Sequence, residues 1–213
     1  MSIITIGGIK GGAGKTTIAT NLAIMRHLSG HDVLLIDGDD QGSATDFSSV
    51  RTEIKGSTGY TSIQLTGSSI RTQGLMLSPK YEDVIIDAGG RDTTSQRAAL
   101  IISDVVLIPF NPRSFDIWTL GKVVQLIDEC KTVNQKLKVI TFLNKADALG
   151  NDNVEATEAL KEIELFTYLN TSIGLRKSFA NAASDGCSVV EQKPLDKKAV
   201  DEIKTLYRHI YDI

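Results

Sequence analysis

The chain has 213 residues, of which 41% are hydrophobic and 23% charged, with a formal net charge of −3. That balance excludes a disordered chain and fits one soluble domain that can bury a core without disulfides or metal. No apolar run approaches the ~18 residues of a membrane span, and Met1 to Ile6 carries neither a basic leader nor a small-residue cleavage site. Cys130 and Cys187 lie far apart with no histidine close to either, which reads as idle thiols in a reduced, cytoplasmic setting. So mild a net charge leaves nucleic-acid binding open, because a basic patch can sit on an acidic protein.

Residues 3–6, Ile-Ile-Thr-Ile, are short and β-branched, as in a buried strand of a parallel sheet. A glycine-rich loop follows. Ile18, Leu22, Ala23, Met25 and Leu28 then recur at helical spacing, predicting a helix over 16–29 that Gly30 ends. A second apolar strand, 33–36, runs into Asp37 and completes a βαβ unit. The pattern continues with a strand at 83–86 ending at Asp87 and a helix at 95–102. A strand at 105–108 is closed by Pro109, a helix covers 117–130, and a strand at 137–143 ends at Asn144. A helix at 154–163, a short strand at 165–169 and a closing helix at 199–210 complete the chain. Residues 48–78, rich in Ser, Thr, Gly and Gln with weak periodicity, read as loops with a short strand or helix. The sum is a single doubly wound α/β domain over 1–213 with a mostly parallel sheet. Such sheets bind ligands at the carboxyl ends of their strands, where the glycine and acidic motifs all fall here.

The loop Lys10-Gly11-Gly12-Ala13-Gly14-Lys15-Thr16-Thr17 lies between the first strand and the first helix. Successive backbone N–H groups in such a loop form an anion-binding concavity, and the helix adds its positive end. Glycines let the backbone approach phosphates without a Cβ clash. Lys15 would reach the β- and γ-phosphates, and the Thr16 hydroxyl would ligate Mg²⁺. Counting back from Gly14, the first position of the usual spacing holds Ile9 rather than glycine, so this is a variant P-loop with an added Lys10. A nucleoside triphosphate with magnesium is the expected ligand.

The string K-G-G-x-G-K-T-T resembles the deviant Walker A motif of the ParA/MinD family of P-loop ATPases. The chain is most similar to the small ParA-type plasmid partition ATPases, which lack an N-terminal helix-turn-helix. The resemblance implies that Lys10 crosses a dimer interface and touches the partner's nucleotide, much as an arginine finger does. Asp37-Gly38-Asp39-Asp40-Gln41-Gly42 resembles the family's second signature, D-x-D-P-Q-G, with Asp40 where proline is common. It implies that Asp39 orients the attacking water and Asp37 supports the magnesium shell. Residues 84–90 resemble Walker B, with Asp87 holding magnesium and Gly89-Gly90 in place of the common Pro-Pro. That pair implies a mobile loop able to sense the γ-phosphate, with Arg91-Asp92 after it. Residues 108–116 also resemble the family's segment after its fourth strand.

Asn144-Lys145-Ala146-Asp147 admits two readings. Asn-Lys-x-Asp is the guanine signature of GTPases, with Asp147 on the base; ParA-like chains carry an Asn at this strand end that reads adenine. ATP is favoured over GTP, and Pro194 could close the other side of the base. The resemblance further implies an ATP-dependent homodimer, slow partner-stimulated hydrolysis, non-specific DNA binding and a ParB-like centromere-binding adaptor. The protein would then be cytoplasmic and nucleoid-associated. Arg176, Lys177, Lys197, Lys198, Lys204 and Arg208 are the candidate phosphate-backbone contacts. The tail from Tyr207 lacks the lysine-rich face of a membrane-targeting helix, so no membrane partner is expected. Three alternatives stay open: a protein cargo or conjugation role, a GTPase, and a nucleotide-dependent scaffold with negligible turnover.

Overall fold

The computed structural model describes residues 2–113, 119–148 and 151–211. Its first half runs β1 (Ser2–Ile6), α1 (Lys15–Leu28), β2 (Val33–Gly38), α2 (Ser43–Lys55), β3 (Thr61–Gln64) and α3 (Ser69–Leu77). A 3-10 turn at Ser78–Lys80 leads into β4 (Asp83–Ala88), α4 (Thr94–Ile102) and β5 (Val105–Phe110). The second half runs α5 (Leu120–Lys131), β6 (Lys138–Ala146), α6 (Asp152–Lys161), β7 (Thr167–Gly174), α7 (Lys177–Ser184) and α8 (Lys197–Tyr211).

The strands form one sheet in the order β3-β2-β4-β1-β5-β6-β7, and each neighbouring pair is parallel. Helices cover both faces, which is why β2 and β4 carry the apolar runs Val33–Ile36 and Val84–Ile86; all six positions of each strand are buried, Asp37, Asp83 and Asp87 included. On one face, Ile18 and Leu22 of α1, Phe47 of α2, Phe179 of α7 and Ile203 and Leu206 of α8 share a core with Ile4, Leu35 and Phe142. On the other, Ile70 of α3 and Ala99 of α4 pack on Ile36 and Ile86, while α5 and α6 pack on Val106, Val139 and Leu143. Both cysteines are buried and unpaired, and no helix among the described residues is long and apolar enough to cross a membrane.

Several elements differ from the sequence expectation. Residues 48–78 are mostly regular, holding most of α2, all of β3 and α3. The periodicity of α2 was hidden because two of its four buried residues, Ser48 and Arg51, are polar. Pro109 does not close β5; the strand continues to Phe110. Pairing with β1 stops at Leu107, so Pro109 faces no acceptor on that side and its missing N–H costs nothing there. The short strand at 165–169 is displaced to β7, an edge strand whose Asn170, Thr171 and Ser172 blurred its pattern. Helix α7, Lys-Ser-Phe-Ala-Asn-Ala-Ala-Ser, was missed because it buries only Phe179 and Ala182. In the helix expected at 117–130, Ile117 and Trp118 lie outside the described residues, as do Ser114, Phe115 and Asp116 of the segment after β5.

Candidate functional site

The carboxyl ends of β1, β2, β4 and β6 converge on the loop before α1. Gly14 adopts a left-handed φ of +89°, and α1 begins at Lys15. Three carbonyls of the loop are engaged by side chains. Lys15 Nζ donates to Lys10 O at 3.0 Å, Lys145 Nζ to Gly12 O at 2.6 Å, and Asn144 Nδ2 to Ala13 O at 2.6 Å. With its carbonyls held this way, the loop keeps its N–H groups for an anion. Lys145 does so from a left-handed φ of +57°, a strained conformation for a non-glycine residue. Ile9, in the place of the usual glycine, packs against the core of β5 and α5 and so anchors the loop from below. Lys15 is buried; burial lowers its pKa, while Asp87 and Asp39 pull the other way.

Asp37 and Asp87 stand side by side in register on β2 and β4. Asp87 Oδ2 accepts from the Thr16 hydroxyl at 2.6 Å, whereas its Oδ1 is buried with no hydrogen-bond partner among the described residues. Burial, with Asp37 beside it and against the Thr16 hydroxyl bond, pushes the Asp87 carboxyl up to about 7. An orphaned carboxylate oxygen next to a threonine hydroxyl and a phosphate loop fits a hard cation such as Mg²⁺. Asp37, expected to support the magnesium shell, is held by local hydrogen bonds. Its Oδ2 accepts from Thr45 N at 2.8 Å and Thr45 Oγ1 at 2.9 Å, and its Oδ1 from Asp39 N at 3.2 Å. Both oxygens thus help to fix the start of α2 and the Asp39 turn.

Asp39 is half-buried and accepts from Gln41 N at 3.1 Å. Its carboxyl lies against Gly89, where a Cβ would stand 3.4 Å away, and a Cβ on Gly90 would come within 2.9 Å of Gly11 Cα. The second approach leaves no room for a side chain at Gly90. Together Gly11, Gly38, Asp39, Gln41, Gly90 and Arg91 line a concavity of about 500 Å³, with Asp40 exposed at its rim. Asp92 is gripped in bidentate fashion by Arg97, which also binds Glu129 of α5.

One contributor escaped the sequence reading. Gln96 of α4 is buried, and with its amide nitrogen facing the carbonyls it donates to Gly89 O at 2.7 Å, Arg91 O at 3.1 Å and Gly8 O at 3.2 Å. It fastens the loop after β4 to the start of the phosphate loop. No motif marks it, since a glutamine inside an amphipathic helix has no spacing signature.

A second concavity, about 210 Å³, opens on the other side of Gly14. Thr17, Asn144, Lys145, Leu175, Arg176 and Phe179 are among its walls. Asp147 and Pro194 are not. Asp147 is tied through its backbone to the Asn153 side chain. Pro194 lines a separate hollow with Ser178, Asn181 and Asp185. Helix α7 divides the two, presenting Phe179 and Ala180 to one and Ser178 and Asn181 to the other. The cationic candidates separate likewise. Arg176 is not a surface cation: its guanidinium pairs with Glu202 of α8. Lys177 is exposed at the start of α7, and exposed Lys197, Lys204 and Arg208 follow one stripe of α8 broken by Asp201, with Lys198 beside it.

Comparison with known proteins agrees with this geometry. Residues 4–189 match the CobQ/CobB/MinD/ParA nucleotide binding domain. The chain is 26% identical over 209 residues to the "Maintenance of carboxysome distribution protein A" of Halothiobacillus neapolitanus, covering 97% of this chain and 95% of that one. Its fold is similar to that of a Cyanothece McdA variant in complex with ATP, with a TM-score of 0.79, 18% identity and coverage of 100% and 97%. It is also similar to a putative plasmid partition protein of Borrelia burgdorferi bound to AMPPNP, with a TM-score of 0.75, 22% identity and coverage of 99% and 97%.

Proposed function

The chain belongs to the CobQ/CobB/MinD/ParA nucleotide-binding family, and from that premise we propose that it is a ParA-like ATPase. ATP closes it into a homodimer that binds DNA non-specifically, and slow hydrolysis, stimulated by a ParB-like adaptor, releases it. Plasmid DNA is the cargo. The single observation that carries the catalytic reading is the open Asp87 Oδ1 beside Thr16 and the buried Lys15 at the mouth of the glycine loop.

In this reading the Thr16 hydroxyl and the Asp87 carboxylate would hold Mg²⁺, which would supply positive charge against the phosphates. The loop N–H groups bind the phosphates, and Asn144 stands at the base. To reach a γ-phosphate, Lys15 must leave the Lys10 carbonyl that it now holds. Filling the site therefore frees the backbone that carries Lys10, which then reaches across to the partner's phosphates. Asp39 orients the attacking water in the concavity that Gly89 and Gly90 leave open. The DNA-contacting cations are Lys177, Lys197, Lys198, Lys204 and Arg208. Working on the nucleoid, the protein would be cytoplasmic.

The test is ATP turnover, light scattering and salt-dependent DNA binding on one preparation. Wild type should dimerise with ATP and Mg²⁺ and bind DNA more weakly as salt rises. Lys10→Ala should bind ATP yet stay monomeric, and Asp39→Ala should dimerise without turning over. Slow hydrolysis that neither DNA nor a partner stimulates, with Asp39→Ala making no difference, would favour a nucleotide-dependent scaffold instead.

A protein cargo is the second reading, favoured by the end-to-end match to the Halothiobacillus protein. The partner that raises turnover separates the two: an adaptor bound to a DNA site supports plasmid partition, and one bound to a protein assembly supports the second.

A further inference from the structure

Glu202 lies on α8, outside every motif that marks the nucleotide site, yet it organises one wall of the smaller concavity. Its Oε2 accepts from the backbone N–H of Gly174 at 3.1 Å and from Arg176 Nε at 2.9 Å, while its Oε1 accepts from Arg176 Nη2. The two side chains are 22% and 26% exposed, so the pair is largely sheltered from water. Arg176 folds across Gly174, where a Cβ would stand 3.3 Å from the guanidinium. Gly174, Leu175 and Arg176 all line the concavity, opposite Thr17 and Ile18 of α1.

A guanidinium held edge-on by a carboxylate keeps its plane fixed, and a fixed guanidinium plane stacks on aromatic faces. Ile18, Ile173, Leu175 and Phe179 give the concavity an apolar face suited to a heteroaromatic ring, and Thr17, Asn144 and Lys145 add polar groups to it. The concavity, of about 210 Å³, has room for a planar base.

We infer that Arg176 is a base-contacting residue of the nucleotide site and that Glu202 is its positioning residue, so that α8 completes the pocket for the purine. This rests on the ATPase reading above and extends it to how the base is held. The phosphates are bound by elements that never touch Glu202, so the two halves of the ligand can be tested apart.

The experiment measures binding of Mg·ATP and of Mg·tripolyphosphate, which has no base, to the intact protein by calorimetry. Wild type, Glu202→Gln, Arg176→Met and the double variant are compared. Each single variant should weaken ATP about tenfold, as expected for losing a charge-assisted contact, and leave tripolyphosphate unchanged. The double variant should be no worse than Arg176→Met alone, because Glu202 acts through Arg176. Unchanged tripolyphosphate affinity also shows that the variants are folded. Equal loss of both ligands, or single variants that bind ATP as wild type does, overturns the inference. Wild type that binds neither ligand overturns the ATPase reading instead.

Discussion

The side-chain amide of Asn144 donates to the carbonyl oxygen of Ala13 at 2.6 Å, tying the end of β6 to the phosphate loop. Gly14, the next residue, has no room for a side chain, since a Cβ would collide with that same amide nitrogen. The amide therefore does two things at once: it holds the loop and lines the pocket. Asn144→Ala should raise the ATP Kd about tenfold, and Asn144→Asp more, because a carboxylate would face the Ala13 carbonyl. Calorimetry on the two variants, with tripolyphosphate alongside ATP, shows whether the loss reaches the phosphate half. Unlike Glu202→Gln, both variants should weaken tripolyphosphate.

Gly90 touches Gly11 across the mouth of the site. Gly90→Ala must push the loop after β4 away from the phosphate loop, since a Cβ would stand 2.9 Å from Gly11 Cα and N. The expected outcome is a loss of about 1–3 kcal/mol of stability with turnover reduced more than ATP affinity. Urea unfolding and steady-state kinetics read the two effects separately.

Asp87 is buried with one oxygen unmatched, so without a cation it weakens the fold it sits in. Asp87→Asn should raise the melting temperature of the nucleotide-free protein by a few degrees, as roughly 1 kcal/mol gives about 2–4 °C at this size. The same change should lower Mg²⁺-dependent turnover about 100-fold. A variant destabilised at pH 8 in the absence of Mg²⁺ would contradict the account of the orphaned oxygen.

Arg51 of α2 is buried and pairs with Glu191 through both nitrogens at 2.8 and 2.9 Å, also donating to the carbonyls of Gly186 and Thr58. Burial pushes the Glu191 carboxyl up, but the Arg51 guanidinium and the Ser188 N–H outweigh it and hold the carboxyl below its ordinary value. A depressed carboxyl stabilises the fold above its ordinary pKa of 4.5, and that stabilisation is lost as pH falls through the lower folded value. Glu191→Gln should cost on the order of 2 kcal/mol at pH 7. The gap to wild type should close below pH 4.5, which denaturant titrations at pH 7 and pH 3.5 would show.

The sequence made the phosphate loop and the strands legible because both follow short-range rules. A parallel strand covered on both faces is a run of branched apolar residues, and a P-loop is a fixed string. What it hid depends on partners far along the chain. Arg51 reads as a surface arginine until Glu191, 140 residues away, is seen beside it. Arg176 read as a DNA contact for the same reason, with its partner Glu202 one helix further on. The helices α2 and α7 were invisible because each buries only one large apolar residue, Phe47 and Phe179, so no hydrophobic stripe announced them, and Gln96 is a polar residue buried inside a helix that was expected. Pro194 sat close in sequence to the expected pocket, but α7 stands between.

The in-register pair Asp37 and Asp87 has a consequence for how the chain folds. Strands β2 and β4 are apolar on both faces, so oil-like burial alone would let one slide along the other by a residue at little loss. The carboxylate at the end of each forbids it. A slip in one direction drags an acid between two apolar layers, and in the other it parts Asp87 from Thr16. Alternate residues face opposite ways, so every odd slip also turns the acid to the wrong side of the sheet. The aspartates are end-stops that tell two featureless strands where to halt, and an insertion or deletion within either strand should be tolerated far less than one in the loops beyond them.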